Sequence, residues 1–307
     1  MLFISRPCRR GTTFGAMLNL VLPKGSLEKA TFQLFADADL PIHRNSAVTY
    51  TATIDDPRIA TVRILRPQEI PSYVAQGLFD IGICGRDWVE ETSSKVVSLG
   101  EMKYSKATSN PIRVVVAVAG DSPVDRVEDL PQGVRVSTEY PEITRRFFES
   151  KGIEADIRLS YGATEAKIPD IVDCVVEITE TGSALRAAGL KVIDEIMQSY
   201  TEVVANPEVY EDADKRHAME QIMTLLQGVL EARTKVVVKL NVAAAHLDEV
   251  ISKLPAMKTP TVNELYGQSG YAVETVVEKR QINVLIPALK DAGASDIIEL
   301  PLSKIVH

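Results

Sequence analysis

Short apolar runs alternate with longer amphipathic stretches along most of the chain. M-L-N-L-V-L-P at 17–23, A-T-V-R-I-L-R at 60–66 and F-D-I-G-I-C-G at 79–85 read as buried strands. After the first, K-G-S-L-E-K-A-T-F-Q-L-F opens a helix, with Lys24 and Gly25 in the turn and Ser26 placed to cap it. After the second, P-Q-E-I-P-S-Y-V-A-Q-G-L places proline near the start and glycine near the end of another helix. A second series begins at I-R-V-V-V-A-V-A, residues 112–119. It continues through V-R-V-S-T at 134–138, a helix from Pro141 to Lys151, and I-V-D-C-V-V-E-I-T. Strands alternating with helices predict α/β architecture with largely parallel sheets. Such sheets bind ligands outside the carboxyl ends of their strands. Three turns fall there: Lys24-Gly25-Ser26, Gly85-Arg86-Asp87 and Thr179 to Ser183. A cleft between two lobes is the expected site.

From Lys235 the rhythm changes. K-V-V-V-K-L-N-V is a strand, A-A-A-H-L-D-E-V-I-S-K-L a helix, and T-P-T-V-N-E-L-Y and Y-A-V-E-T-V-V-E two strands around Gly267 to Gly270. I-N-V-L-I-P-A-L-K-D-A-G-A is then a helix and D-I-I-E-L-P-L a strand. The order βαββαβ predicts a ferredoxin-like module.

Charge divides the chain in the same place. The net charge is −8, and residues 235–307 carry eight basic and eight acidic side chains, so the whole acidic excess lies before them. Acidic body and neutral module are read as separate domains. The balance argues against a nucleic-acid partner, which would call for a basic face. No apolar run reaches the roughly 20 residues that span a bilayer. Residues 1–16, with Arg6, Arg9 and Arg10 and no acid, lack the apolar segment of a signal peptide and are expected to be a flexible extension. A cytoplasmic location with no membrane partner is the expectation. Cys8, Cys84 and Cys174 are too scattered for a disulfide framework or a zinc site, and the four histidines show no metal spacing.

Chemistry concentrates in D-C-V-V-E-I-T-E-T-G-S-A-L-R-A-A-G-L, residues 173–190. The turn would leave the backbone N–H groups of Thr181, Gly182, Ser183 and Ala184 at a helix start, where the hydroxyls of Thr179, Thr181 and Ser183 add donors. That is a phosphate cradle. Glu177, just upstream on an apolar strand, would accept hydrogen bonds from neighbouring hydroxyls, with Asp173 supporting it or meeting a metal. A carboxylate buried in such a strand requires a partner. A ribose 5-phosphate satisfies both halves of the motif, whereas the bland reading makes Thr-Gly-Ser a helix cap and the acids solvated.

This motif resembles the phosphoribosyl-binding segment of the long-form ATP phosphoribosyltransferases. The resemblance extends to L-P-K-G-S-L, R-P-Q-E-I-P, F-D-I-G-I-C-G-R-D-W, Y-S-K-A-T-S-N-P-I-R-V-V-V-A-V and the C-terminal G-A-S-D-I-I-E-L-P-L-S-K-I-V, and runs from about Met17 to the end. It implies a two-lobed catalytic half like a type II periplasmic binding protein. Residues 17–111 and 197–230 would form lobe I and 112–196 lobe II, followed by a C-terminal ferredoxin-like regulatory domain, 231–307. It further implies transfer of the phosphoribosyl group of phosphoribosyl diphosphate to ATP with Mg²⁺, the first step of histidine biosynthesis. Inhibition by L-histidine and a homohexamer exchanging with dimers are also implied. By resemblance the phosphoribosyl loop spans Glu177 to Leu185, with Glu177 where many relatives have aspartate. Lys24, Gly25 and Arg66 would lie near the polyphosphates, and Gly85, Arg86 and Asp87 on the nucleotide side. Glu177, Lys24 and Arg66 are the expected catalytic residues, and the metal ligands are not assigned. The competing class is a non-catalytic two-lobed binding or regulatory protein, which would lose the phosphate cradle.

Overall fold

The structure, a computed structural model, describes residues 17–104, 111–255, 259–267 and 269–307. The expected extension at 1–16 lies outside them. The chain divides into two compact units, residues up to 33 with 40–223, and 34–39 with 224–307.

The first unit holds two sheets. One is built from β1 (Leu18–Pro23), β2 (Ile42–His43), β3 (Thr51–Ile54), β4 (Ile59–Leu65), β5 (Ile81–Gly85) and β6 (Val97–Met102), with α1 (Glu28–Asp37), α2 (Ile70–Ala75) and α3 (Arg86–Glu91) in the connections. The other holds β7 (Ile112–Ala119), β8 (Val134–Thr138), β9 (Ala155–Leu159), β10 (Cys174–Thr179) and β11 (Leu190–Ser199), with α4 (Pro141–Ser150) and α5 (Ser183–Ala187). The chain then returns to the first sheet as β12 (Thr201–Ala205), followed by α6 (Pro207–Glu211) and α7 (Ala213–Ala232). The strand orders are β2-β3-β4-β1-β5-β12-β6 and β11-β7-β10-β8-β9.

Neither sheet is largely parallel. β1 runs parallel to β4 and β5, and β8 to β9 and β10, but β7 is antiparallel to both β10 and β11, and β12 to both β5 and β6. Each sheet thus receives, between two of its own strands, one strand arriving from the other lobe. That strand enters from the side where its new neighbours end, and so runs against them. This reciprocal exchange ties the two sheets, and the two lobes built on them, into one unit. β11 stays in the second sheet through Ser199, so the return to the first begins at Thr201 rather than at 197.

The central strands are apolar throughout because helices or loops cover both faces. All five residues of β5 are buried. A Cβ on its Gly82 would lie 2.8–2.9 Å from side-chain atoms of Ile70, Val21 and Val74, so α2 packs against β5 at a distance only glycine allows. In the second sheet Val114, Val116 and Val118 face one core cluster, while Val115 and Ala117 face another with Leu185 and Leu190. This is the period of two expected of a strand buried on both faces.

The second unit contains β13 (Lys235–Val242), α8 (Leu247–Lys253), β14 (Thr261–Glu264), β15 (Tyr271–Glu278), α9 (Ile282–Asp291) and β16 (Ala294–Pro301). Its sheet order, β14-β15-β13-β16, all antiparallel, is the ferredoxin-like arrangement read from the sequence. Val236, Val238, Leu240 and Val242 alternate onto the core beneath α8 and α9. The unit begins earlier than residue 231, taking 224–230 and 34–39 as well.

Candidate active site

β8, β9 and β10 end on the same side of the second sheet, and the turn after β10 is held by its own side chains. Gly182 has φ +73°, the left-handed region that glycine enters without a Cβ penalty. Its amide donates to Thr179 Oγ1 at 2.8 Å, and Ser183 N–H points to Thr181 Oγ1 at 3.4 Å. Two of the four amides expected to be free therefore have partners inside the loop, while neither bond uses those of Thr181 and Ala184. The Thr181 and Ser183 hydroxyls are 2.9 Å apart and exposed. Leu185 contributes backbone only, since its side chain is buried in the core.

Two guanidinium groups that the sequence reading did not single out flank this loop. Arg186 donates to the Thr181 carbonyl at 3.1 Å, and its Nη1 would be 2.8 Å from a Cβ on Gly182. Arg113, paired with Glu195 at 3.2 Å, would be 4.0 Å from the same Cβ. Arg113 opens β7 and sits in register with Thr179 at the end of β10, which follows from β7 entering the sheet in the opposite sense. Nothing in I-R-V-V-V-A-V signals that topology.

Glu177 is half-buried, two residues before the end of β10. Burial pushes its carboxyl above the usual range, and the nearby charges of Glu139 and Glu165 add to the rise. Hydrogen bonds from the Ile178 amide and the Thr164 side chain oppose it. A carboxylate in this setting has acceptor capacity left for a ligand hydroxyl. Asp173 is elsewhere. It precedes β10 at the amino end, roughly 20 Å along the strand from Thr179 at ~3.3 Å per residue, and Arg135 holds it through Nη2 at 2.6 Å and Nε at 3.1 Å. The expected support of Glu177 by Asp173 is corrected accordingly: alternation puts the two on one face, but Arg135 on the neighbouring strand claims Asp173.

On the first sheet, Lys24 and Arg66 follow the ends of β1 and β4, whose register aligns Pro23 with Leu65. The Lys24 amide donates to the Leu65 carbonyl at 2.7 Å, its ammonium lies 4.0 Å from the centre of the Tyr50 ring, and Arg66 is exposed. No ion pair holds either side chain among the described residues. Gly25, at φ +92°, has open space where a Cβ would point.

Gly85, Arg86 and Asp87 differ from the expected nucleotide-facing turn. Arg86 is tied to Glu90 at 2.6 Å and lies 3.7 Å from Glu202. Asp87 is 2% exposed and turned into the protein, accepting from Ser199 Oγ at 2.6 Å and Tyr140 OH at 2.8 Å. A Cβ on Gly85 would collide with Asp87 Oδ1. Both the guanidinium and the carboxyl group of this turn are engaged with protein groups.

The ATP phosphoribosyltransferase (HisG) family model matches residues 66–228, and the HisG C-terminal domain model matches 232–304. The chain belongs to the ATP phosphoribosyltransferase family. It is 46% identical to the ATP phosphoribosyltransferase of Pelotomaculum thermopropionicum and 44% identical to that of Desulforudis audaxviator, in each case over 94% of this chain and 99% of the relative. Among solved structures it is similar to the ATP phosphoribosyl transferase (HisG:HisZ) complex from Thermotoga maritima. There the identity is 30%, the TM-score 0.60, and the match covers 70% of this chain and 99% of that one. Among the described residues no helix is long and apolar enough to cross a membrane, and no three His, Cys, Asp or Glu side chains are grouped to hold a metal ion.

Proposed function

We infer that this chain is an ATP phosphoribosyltransferase, joining N1 of the adenine of ATP to the anomeric carbon of phosphoribosyl diphosphate in the first step of L-histidine biosynthesis. One observation carries the assignment of the site. A half-buried carboxylate, Glu177, and a left-handed turn flanked by two guanidinium groups share the end of one strand, so hydroxyl-accepting and phosphate-binding groups lie together. Ribose 5-phosphate carries both complements. Family membership favours the enzyme over the non-catalytic alternative, and the turn that such a protein would lose is present.

The reaction asks little covalent chemistry of the protein. The adenine N1 lone pair forms the new C–N bond as the C1–O bond to diphosphate breaks and its electron pair leaves with the diphosphate. Positioning and charge stabilisation supply most of the barrier reduction, and no general base is needed for the attack. Glu177 holds the ribose hydroxyls and offsets positive charge developing on the ring. The amides of Thr181 and Ala184 and the hydroxyls of Thr181 and Ser183 hold the 5-phosphate. Lys24 and Arg66, free of carboxylate partners among the described residues, receive the diphosphate. A grouped cluster of protein ligands is not needed for Mg²⁺ that arrives chelated by the diphosphate, which suits a cation that usually keeps phosphate and water ligands. It would offset charge on the leaving group.

The C-terminal unit is proposed as the L-histidine sensor and, with exposed Val262, Ile298 and Leu300 on its edge strands, as a surface for assembly into hexamers that exchange with dimers. A cytoplasmic setting suits these substrates. Calorimetric titration of phosphoribosyl diphosphate into the full chain and into Gly182→Val tests the site. Saturable binding by the former and at least about tenfold weaker binding by the latter are expected, since a valine Cβ would meet Arg186 in a backbone conformation it rarely adopts. Equal affinity would remove the turn from the site.

A further inference from the structure

One short helix of the first lobe grips the second lobe at two places. Asp87, in the first turn of α3, accepts hydrogen bonds from Ser199 and Tyr140. Ser199 stands where the chain crosses from β11 to β12, and it also accepts from the Asp87 amide at 3.0 Å. Tyr140, 1% exposed, immediately precedes α4. At the far end of α3, Glu91 accepts from the amides of Glu142 and Ile143, in the first turn of α4, at 2.9–3.1 Å. Between them, the Trp88 ring packs on Tyr140 with centroids 4.5 Å apart and planes inclined by 31°.

A carboxylate with hydroxyl partners is an unusual filling for such a seam. Apolar side chains of similar size would pack without the desolvation cost and would tolerate sliding, whereas a directional hydrogen-bond set favours one arrangement. Tyr140 also reaches toward the chemistry. It follows Thr138 and Glu139 at the end of β8, where Thr138 pairs with Val176, the residue before Glu177 on β10. The seam between the lobes is therefore built directly onto the end of the strand that pairs with β10 beside Glu177.

We propose that Tyr140 and Asp87 are positioning residues for phosphoribosyl transfer: their hydrogen bond, shared with Ser199, is the pivot that sets the two lobes relative to each other, and filling the ribose site on β10, the strand that β8 pairs with, shifts this pivot and the Trp88 ring packed on it. The inference rests on the site assignment above. Attack of one substrate on another requires approach to about 3–3.5 Å, and a displacement of ~1 Å costs up to about a hundredfold in rate. A small error at the pivot is enlarged at the reacting atoms, so it lowers turnover more than it lowers substrate affinity.

Trp88 is the only tryptophan of the sequence, so its emission reads the pivot directly. Titrating phosphoribosyl diphosphate into the full-length enzyme should shift Trp88 emission along a saturable curve. Tyr140→Phe keeps the ring and loses the hydrogen bond. It should lower kcat at least about tenfold, change the KM for phosphoribosyl diphosphate less than about threefold, and suppress most of the emission shift. Asp87→Asn should act in the same direction, and the double variant should be no worse than the worse single. Unshifted Trp88 emission at a concentration that saturates turnover overturns the proposal. So does a folded Tyr140→Phe with wild-type kcat, even if its thermal stability falls. Should the variants fail to fold, the wild-type emission titration decides alone. Glu177→Gln separates the two levels of inference. Impaired Glu177→Gln beside normal Tyr140→Phe rejects the pivot and leaves the site, whereas wild-type turnover in Glu177→Gln rejects the site assignment itself.

Discussion

Glu177 and Asp173 are both acids of one strand, and their surroundings assign them opposite work. Burial raises the Glu177 carboxyl above its ordinary value, so ionising it opposes folding, and this penalty grows as pH rises through the folded-state value. Glu177→Gln removes the penalty. It should melt higher than wild type without substrate, by a margin larger near pH ~8 than near pH ~4, while turnover falls on the order of a hundredfold through loss of charge stabilisation. Scanning calorimetry at the two pH values and a rate assay measure both. Asp173 is held below its ordinary range by Arg135 in a pair whose side chains are each 39% exposed, so solvent screens the pair and it contributes little to stability. Asp173→Asn should leave kcat within about threefold of wild type and shift the urea midpoint of unfolding only slightly. The sequence places both acids on one face, because residues four apart in a strand share a face. It does not display Arg135, 38 positions away, which the parallel register of β8 and β10 sets beside Asp173.

The elements that carry the site depend on close approaches. Gly82→Ala would press a Cβ against Val21, Ile70 and Val74, at a cost of about 1–3 kcal/mol for overpacking a tight core. Chemical denaturation should show a lower midpoint with an unchanged slope. The apolar run F-D-I-G-I-C-G makes a buried strand legible, but not the helix contact that requires its glycine. The apolar runs likewise revealed β1, β4, β5, β7, β8 and β10 with helices α1, α2 and α4, and the ferredoxin-like order of the second unit, but not β2, β3, β6, β9, β11 or β12. Strand direction in the first unit was less legible. β7 and β12 have the same apolar look as their neighbours and run against them because each arrives from the other lobe, a fact of connection rather than composition. The same topology brings Arg113 beside Thr179, and it brings Ser199 to Asp87, so the turn Gly85-Arg86-Asp87, which lies at a strand end as expected, faces a chain crossing.

At the scale of the whole molecule, a sensing unit acts on a separate catalytic unit only through differential affinity: an inhibitor must bind an inactive arrangement more tightly than the active one. If residues 224–307 with 34–39 sense L-histidine, adding it to the intact enzyme should lower the initial rate saturably and should weaken phosphoribosyl diphosphate or ATP binding, or lower kcat. Full activity at saturating bound histidine would contradict that role. The proposed catalysis itself is tested most directly by identifying where the phosphoribosyl group goes. Full-length enzyme mixed with ATP, phosphoribosyl diphosphate, Mg²⁺ and a pyrophosphatase should produce an ultraviolet absorbance change that requires both substrates, with a product whose fragmentation places the ribose on the adenine ring. No such product from folded enzyme at saturating concentrations of both substrates would contradict it.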